Sequence, residues 1–145
     1  MSKVYITDYI ENPSIEIDIL KGYFSHNSHA GIEVLLVWHK LITAEYLHQF
    51  PNLKGVVRYG VGYDMIDLNA IKEKDIFFCN TPDYGIDEVS DTAIGMIMSI
   101  TRGISRYDYL SRCYDDGSWQ ENTIKGLRRS NQMVLGIVGA GRIGG

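Results

Sequence analysis

Short apolar runs alternate with amphipathic stretches along the chain, the pattern of a parallel sheet and its covering helices. The runs predict strands at 4–7, 33–38, 53–59, 76–79 and 133–138. Most are near-continuous in apolar residues, as strands covered on both faces are. Residues 43–50 and 67–74 read as helices, opened by the capping side chains Thr43 and Asp67 and closed by polar residues or Pro51. Residues 15–20 stay open. Ile15, Ile17 and Ile19 alternate as in a strand, while Ile15, Ile19 and Leu20 share a helix face.

The longest helical signal begins near Asp87, a candidate N-cap, and runs towards Gly103, a candidate stop or bend. Val89, Ala93, Met96, Ile97, Ile100 and Ile104 form one stripe at helical spacing, expected to be the buried face. Ile94 and Met98 widen the apolar surface beyond it. A second helix is expected over 106–115, carrying Tyr107, Tyr109, Leu110 and Tyr114 and closing at Gly117. Residues 121–132 read as a polar surface connection, with Lys125, Arg128 and Arg129 on a solvated face. Pro82 and Gly85 interrupt the pattern, so the domain boundary is drawn between residues 84 and 85. Neither internal repeats nor low-complexity tracts occur.

Composition narrows the class. The 145 residues are 45% apolar and 22% charged, which is globular rather than disordered. Fourteen basic against eighteen acidic residues give a net charge of −4, which argues against a life on nucleic acid or anionic membrane. No apolar run approaches the roughly 18 residues of a membrane span. Two cysteines cannot build a disulfide framework and fit a reducing compartment. The N-terminal residues lead straight into the first apolar run, so no signal peptide and a cytoplasmic location are expected.

Two glycine clusters carry the candidate chemistry. Gly139-Ala140-Gly141-Arg142-Ile143-Gly144 follows an apolar run directly, the placement of a dinucleotide fingerprint. There the first glycine makes a tight turn, the second admits a pyrophosphate, and the third lets the next helix pack close. The same residues would also serve a tight strand–helix turn with no ligand. Gly60-Val61-Gly62 follows the 53–59 run, and glycines so spaced expose backbone N–H groups suited to a carboxylate. A plain connection with Asp67 as helix cap is the competing reading.

In order, the chain shows Arg-x-Gly-x-Gly-x-Asp-x-Ile-Asp at 58–67, then Asn80-Thr81-Pro82, then the long helix. Gly117-x-Trp119 and Leu135-Gly136-Ile137-Val138-Gly139-x-Gly141-Arg142-Ile143-Gly144 follow. Over essentially its whole length it resembles the N-terminal part of the D-isomer-specific 2-hydroxyacid dehydrogenases. That family includes phosphoglycerate and D-lactate dehydrogenases and the C-terminal-binding-protein co-repressors. The resemblance implies an α/β fold: a flavodoxin-like parallel-sheet substrate domain over 1–84, then the beginning of a Rossmann NAD-binding domain over 85–145. It implies that Val61 and Gly62 hold a substrate carboxylate through backbone N–H groups and that Tyr84 faces the substrate. Gly139, Gly141, Arg142, Ile143 and Gly144 would meet the pyrophosphate of NAD, with NADP left open. A family threonine near the nicotinamide aligns here with Ala93, so that contact is not carried over.

The implied activity is reversible, NAD-dependent reduction of a small 2-keto acid to the D-2-hydroxy acid. Family members commonly dimerise, and a homodimer through helices 87–115 is expected. The family's Arg, Glu and His match no motif of this chain, which is therefore expected to be an N-terminal portion, inactive alone. Competing readings are an NAD(H)-sensing co-repressor-like binding protein and an inactive truncated remnant. Elsewhere the bland readings are preferred: His26-x-x-His29 as a polar loop rather than a metal site, and Cys79 as a buried small hydrophobe.

Overall fold

The computed structural model describes residues 3–8, 10–25, 29–113 and 124–145. It separates into two compact units, Met1–Tyr84 and Gly85–Gly145. The first holds four parallel strands, β1 (Lys3–Ile6), β2 (Ile32–Val37), β3 (Gly55–Arg58) and β4 (Phe77–Asn80), adjacent in that order. Phe24 adds a single parallel bridge to Val4. That bridge puts the chain on the outer side of β1 before it crosses to β2 on the other side. Counting it as a rudimentary second strand, the spatial order is 2-1-3-4-5, the flavodoxin-like arrangement.

Residues 15–20 resolve as a helix: α1 spans Ser14–Leu20. α2 (Ala44–Leu47) and α3 (Leu68–Glu73) start where the capping residues predict. Thr43 Oγ1 accepts from the Tyr46 N–H at 3.2 Å, and Asp67 Oδ1 accepts from the Ala70 N–H at 3.0 Å. Leu35, Val37 and Val56 on one sheet face pack with Leu47, Phe50, Ala70 and Ile71 into a single core. β4 departs from the expected two-sided cover. Phe77 is 82% exposed and Cys79 is exposed, while Phe78 between them turns to the core. Cys79 is thus not the buried hydrophobe the sequence suggests, because its side of the strand carries no covering element among the described residues. His29 lies edge-on to Phe50 at 4.9 Å; His26 lies outside the described residues.

The second unit holds α4 (Ile86–Arg102), α5 (Ile104–Arg112) and a 3₁₀ turn at Ser130–Gln132. Gly85, not Asp87, caps α4; Asp87 and Glu88 instead sit in its first turn, where carboxylates suit the positive helix end. Gly103 ends α4 in the left-handed conformation (φ 66°), and α5 begins immediately after it. Tyr114, Gly117 and Trp119 lie outside the described residues. No residue of α4 is buried. Its half-covered side runs through Ile86, Ser90, Ala93, Ile97 and Thr101. The expected stripe is therefore rotated, and Val89, Met96 and Ile100 face outward. The predicted strand at 133–138 does not form. Val134 and Val138 are fully exposed, since no strand lies beside this run among the described residues and a lone strand leaves its N–H and C=O groups unpaired.

Candidate functional site

The carboxyl ends of β2, β3 and β4 converge on one edge of the first unit, where open α/β sheets bind ligands. A pocket of about 450 Å³ opens there, lined by Trp38, His39, Arg58, Tyr59, Thr81 and Tyr84. Tyr84, singled out from the sequence, is 72% exposed at its rim. Trp38, His39 and Arg58 were not singled out as site residues. Only the pairing of β2 beside β3 brings them together.

The 60–62 loop leaves β3 beside this pocket and is held along its length. Gly60 N–H donates to the Arg58 carbonyl at 2.9 Å, and Thr81 N–H donates to the Gly60 carbonyl at 3.2 Å. The Thr81 hydroxyl reaches the Arg58 carbonyl at 3.3 Å, and Asn80 Nδ2 donates to the Val61 carbonyl at 2.8 Å. Further on, Ile42 N–H donates to Met65 and Asp67 N–H donates to Ile42, both at 2.9 Å, and the Tyr63 ring lies edge-on to Phe78. Val61 and Gly62 are exposed. Their carbonyl and N–H groups are thus presented from a loop fastened at both ends.

Of the two loop glycines, Gly60 carries the positive φ, at 153°, and Gly62 does not. A Cβ on Gly60 would stand 2.4 Å from Arg58 Nη1, whereas one on Gly62 would meet only Asp64 Oδ2, at 3.7 Å. Arg58 is the reason. Its guanidinium is buried beneath the loop, Nη1 donates to the Tyr59 carbonyl, and Nε has no partner among the described residues. The sequence signal for this arrangement is Arg58 two residues before Gly60, which only the folded loop makes meaningful.

Burial, with the Glu16 carboxylate secondary, pushes the Tyr59 hydroxyl up to about 12, so it stays a neutral group at the pocket wall. Tyr46 is likewise pushed up to about 12 by burial, then by Tyr5 and Asp8. Asp8 Oδ2 accepts from the His39 backbone N–H. Among the described residues no carboxylate partners the His39 ring as an acid–base pair would require. Nor do three or more His, Cys, Asp or Glu side chains converge among them.

In the second unit each glycine of the 139–144 turn has a distinct backbone setting. Gly139 adopts φ 93°, and a Cβ on Gly144 would stand 2.2 Å from the Gly139 carbonyl, so both positions need glycine. Gly141 has no atom within 4 Å of its Cβ position, which leaves its backbone approachable. Gly145 N–H donates to the Gly141 carbonyl at 2.9 Å, closing a single turn. Arg142 and Ile143 follow within it, and the Ile143 carbonyl accepts from the Ser90 hydroxyl of α4 at 3.3 Å.

A profile of the D-isomer specific 2-hydroxyacid dehydrogenase catalytic domain matches residues 5–139. The chain belongs to this family. It is 37% identical over 101 residues to glyoxylate/hydroxypyruvate reductase A of Arabidopsis thaliana, an alignment covering 70% of this chain and 31% of that one. The D-lactate dehydrogenase from Aquifex aeolicus, solved with NAD and lactic acid, superposes with a TM-score of 0.82 at 23% identity. That match covers 99% of this chain and 46% of the other. The NADPH-dependent glyoxylate/hydroxypyruvate reductase from Sinorhizobium meliloti, solved with NADP and malonate, superposes at 0.72 with 26% identity, covering 99% and 47%. The family chain described here spans between 31% and 50% of the length of such curated relatives. These likenesses agree with the α/β fold above and with a family of oxidoreductases.

Proposed function

We propose that this chain is the carboxylate-holding portion of an NAD(P)-dependent oxidoreductase that interconverts a small 2-keto acid and its D-2-hydroxy acid. The observation that carries the reading is the exposed Val61–Gly62 segment, fastened at the carboxyl end of β3 beside a pocket walled by Tyr59 and Tyr84. Backbone N–H groups there accept the carboxylate, whose shape and charge suit donors without a competing side chain. Tyr84 lies against the rest of the acid, and neutral Tyr59 walls the pocket without adding charge. Holding the carboxylate orients the C2 carbonyl, which is the positioning share of catalysis.

In this reading the 139–144 turn would take a pyrophosphate, with Gly139, Gly141, Arg142, Ile143 and Gly144 around it and backbone N–H groups as donors. A nicotinamide dinucleotide bound there would supply or take up the hydride at C2, with a proton added to or removed from the C2 oxygen. No matched motif of this chain provides the His–Glu pair that the family resemblance implies for that proton, or the Arg it implies for orienting the acid. The domain roles follow: 1–84 for the acid, 85–145 for the beginning of the nucleotide site.

Exposed Val89, Ile94, Met96 and Ile100 on α4 further support pairing with a second copy of this helix. The test of the main reading is titration of the ¹⁵N-labelled chain with pyruvate and with oxamate. The amides of 60–62 should shift, and the same chain should not oxidise NADH with glyoxylate, pyruvate or hydroxypyruvate. Unmoved amides in this loop would remove it from the site, and turnover by the chain would place the acid–base within it.

A further inference from the structure

The hydrogen bond from Asn80 Nδ2 to the Val61 carbonyl does more than close the end of β4. The peptide between Val61 and Gly62 is planar and trans, so its C=O and N–H point in opposite directions. Fastening the Val61 oxygen at 2.8 Å from Asn80 therefore turns the Gly62 N–H away from β4. The neighbouring links leave this peptide as the adjustable one. Gly60 is held by Thr81 and Arg58, and Met65 and Asp67 are held by Ile42, whereas Asn80 alone bonds the Val61 carbonyl among the contacts described.

We propose that Asn80 is a positioning residue: its amide sets the orientation of the Val61–Gly62 peptide and so aims the Gly62 N–H at the carboxylate of the bound 2-keto acid. The inference rests on the reading of 60–62 as the carboxylate receptor. Its chemistry is specific to an amide. An aspartate at this position has nearly the same shape but offers only acceptor oxygens when ionised. It would repel the Val61 carbonyl and favour a turned peptide, and it would add negative charge beside an anion site. Alanine merely releases the carbonyl to water. A role confined to closing the strand end would instead leave Asn80→Ala binding oxamate as the parent does, with its effect visible only in stability.

The experiment compares the 145-residue chain with its Asn80→Ala and Asn80→Asp forms, each ¹⁵N-labelled and titrated with oxamate. Chloride at matched ionic strength controls for charge alone. The readouts are the oxamate Kd, the Gly62 amide proton shift at saturation, and the thermal midpoint. Asn80→Asp should weaken oxamate binding about tenfold or more and abolish the downfield Gly62 shift, with Asn80→Ala between it and the parent, as expected when a charge-assisted hydrogen bond is misdirected. The amides of β1 and β2 should stay in place in both.

Equal oxamate affinity in all three proteins, with Gly62 shifting in each, overturns the role of Asn80 and leaves the carboxylate loop intact. An unmoved Gly62 in the parent chain overturns the loop reading and this proposal with it. If Asn80→Asp does not fold, Asn80→Ala decides. A loss of binding there that comes with displaced β1 and β2 amides makes Asn80 structural and overturns its positioning role.

Discussion

Replacing Gly60 and Gly62 separately by alanine separates the two glycines of the loop, which look equivalent in the sequence. At Gly60 the backbone sits at φ 153°, and the new Cβ would lie 2.4 Å from Arg58 Nη1 and 2.9 Å from Cζ. The backbone alone costs about 1–3 kcal/mol, because this region is essentially reserved for glycine. The guanidinium cannot swing aside freely. It is 8% exposed, and moving it breaks the Nη1 bond to the Tyr59 carbonyl, a further cost of about 1–2 kcal/mol. Together these predict a loss of about 3 kcal/mol, or roughly 12 °C or more in the melting temperature of a unit this size. At Gly62 the φ is ordinary and the nearest atom stands at 3.7 Å, so alanine fits. Its stiffer unfolded chain should leave stability level or raise it by about 0.4–1 kcal/mol. Urea unfolding followed by far-ultraviolet circular dichroism measures both. A third protein completes the cycle: in an Arg58→Leu background the clash is gone, and Gly60→Ala should cost only its backbone share. Equal losses at the two glycines, or a Gly60→Ala protein within about 1 kcal/mol of the parent, would refute the packing of Arg58 beneath the loop.

Two other outcomes follow from the same structure. Tyr46 and Tyr59, both raised to about 12, should give an ionisation step near that pH in an absorbance titration. Since the unfolded phenols ionise near about 10, their share of stability is complete below that pH and is lost as pH rises from about 10 to about 12. Self-association through α4 predicts a dimer mass by light scattering at micromolar concentration. Ile100→Glu, on the outward side, should return a monomer, and a monomeric parent protein would dismiss the pairing.

What the sequence determined by itself was local. The capping oxygens of Thr43 and Asp67 bond an amide three residues on, so α2 and α3 are visible wherever the rest of the chain lies. The apolar runs of β2 and β3 likewise declare a buried parallel sheet, and the order of the glycine motifs declares the family. Tertiary structure decided everything that depends on a neighbour. Residues 133–138 have the composition of a strand, but a strand exists only through a partner, and none lies beside them among the described residues. The stripe on α4 was legible as amphipathic, yet which side is covered depends on what packs there, and the cover falls on Ser90 and Thr101 rather than on Met96 and Ile100. Phe77 and Cys79 read as core by type and stand exposed because alternate residues of β4 face opposite sides, and among the described residues only the Phe78 side packs into the core. Within the site, two glycines, an asparagine and an arginine were all in view along the chain. That Arg58 lies under Gly60, and that Asn80 holds the Val61 carbonyl, follows from β4 lying in register beside β3. Sequence spacing carries the periodicity of one element, but the distance between two elements is fixed only when their side chains pack.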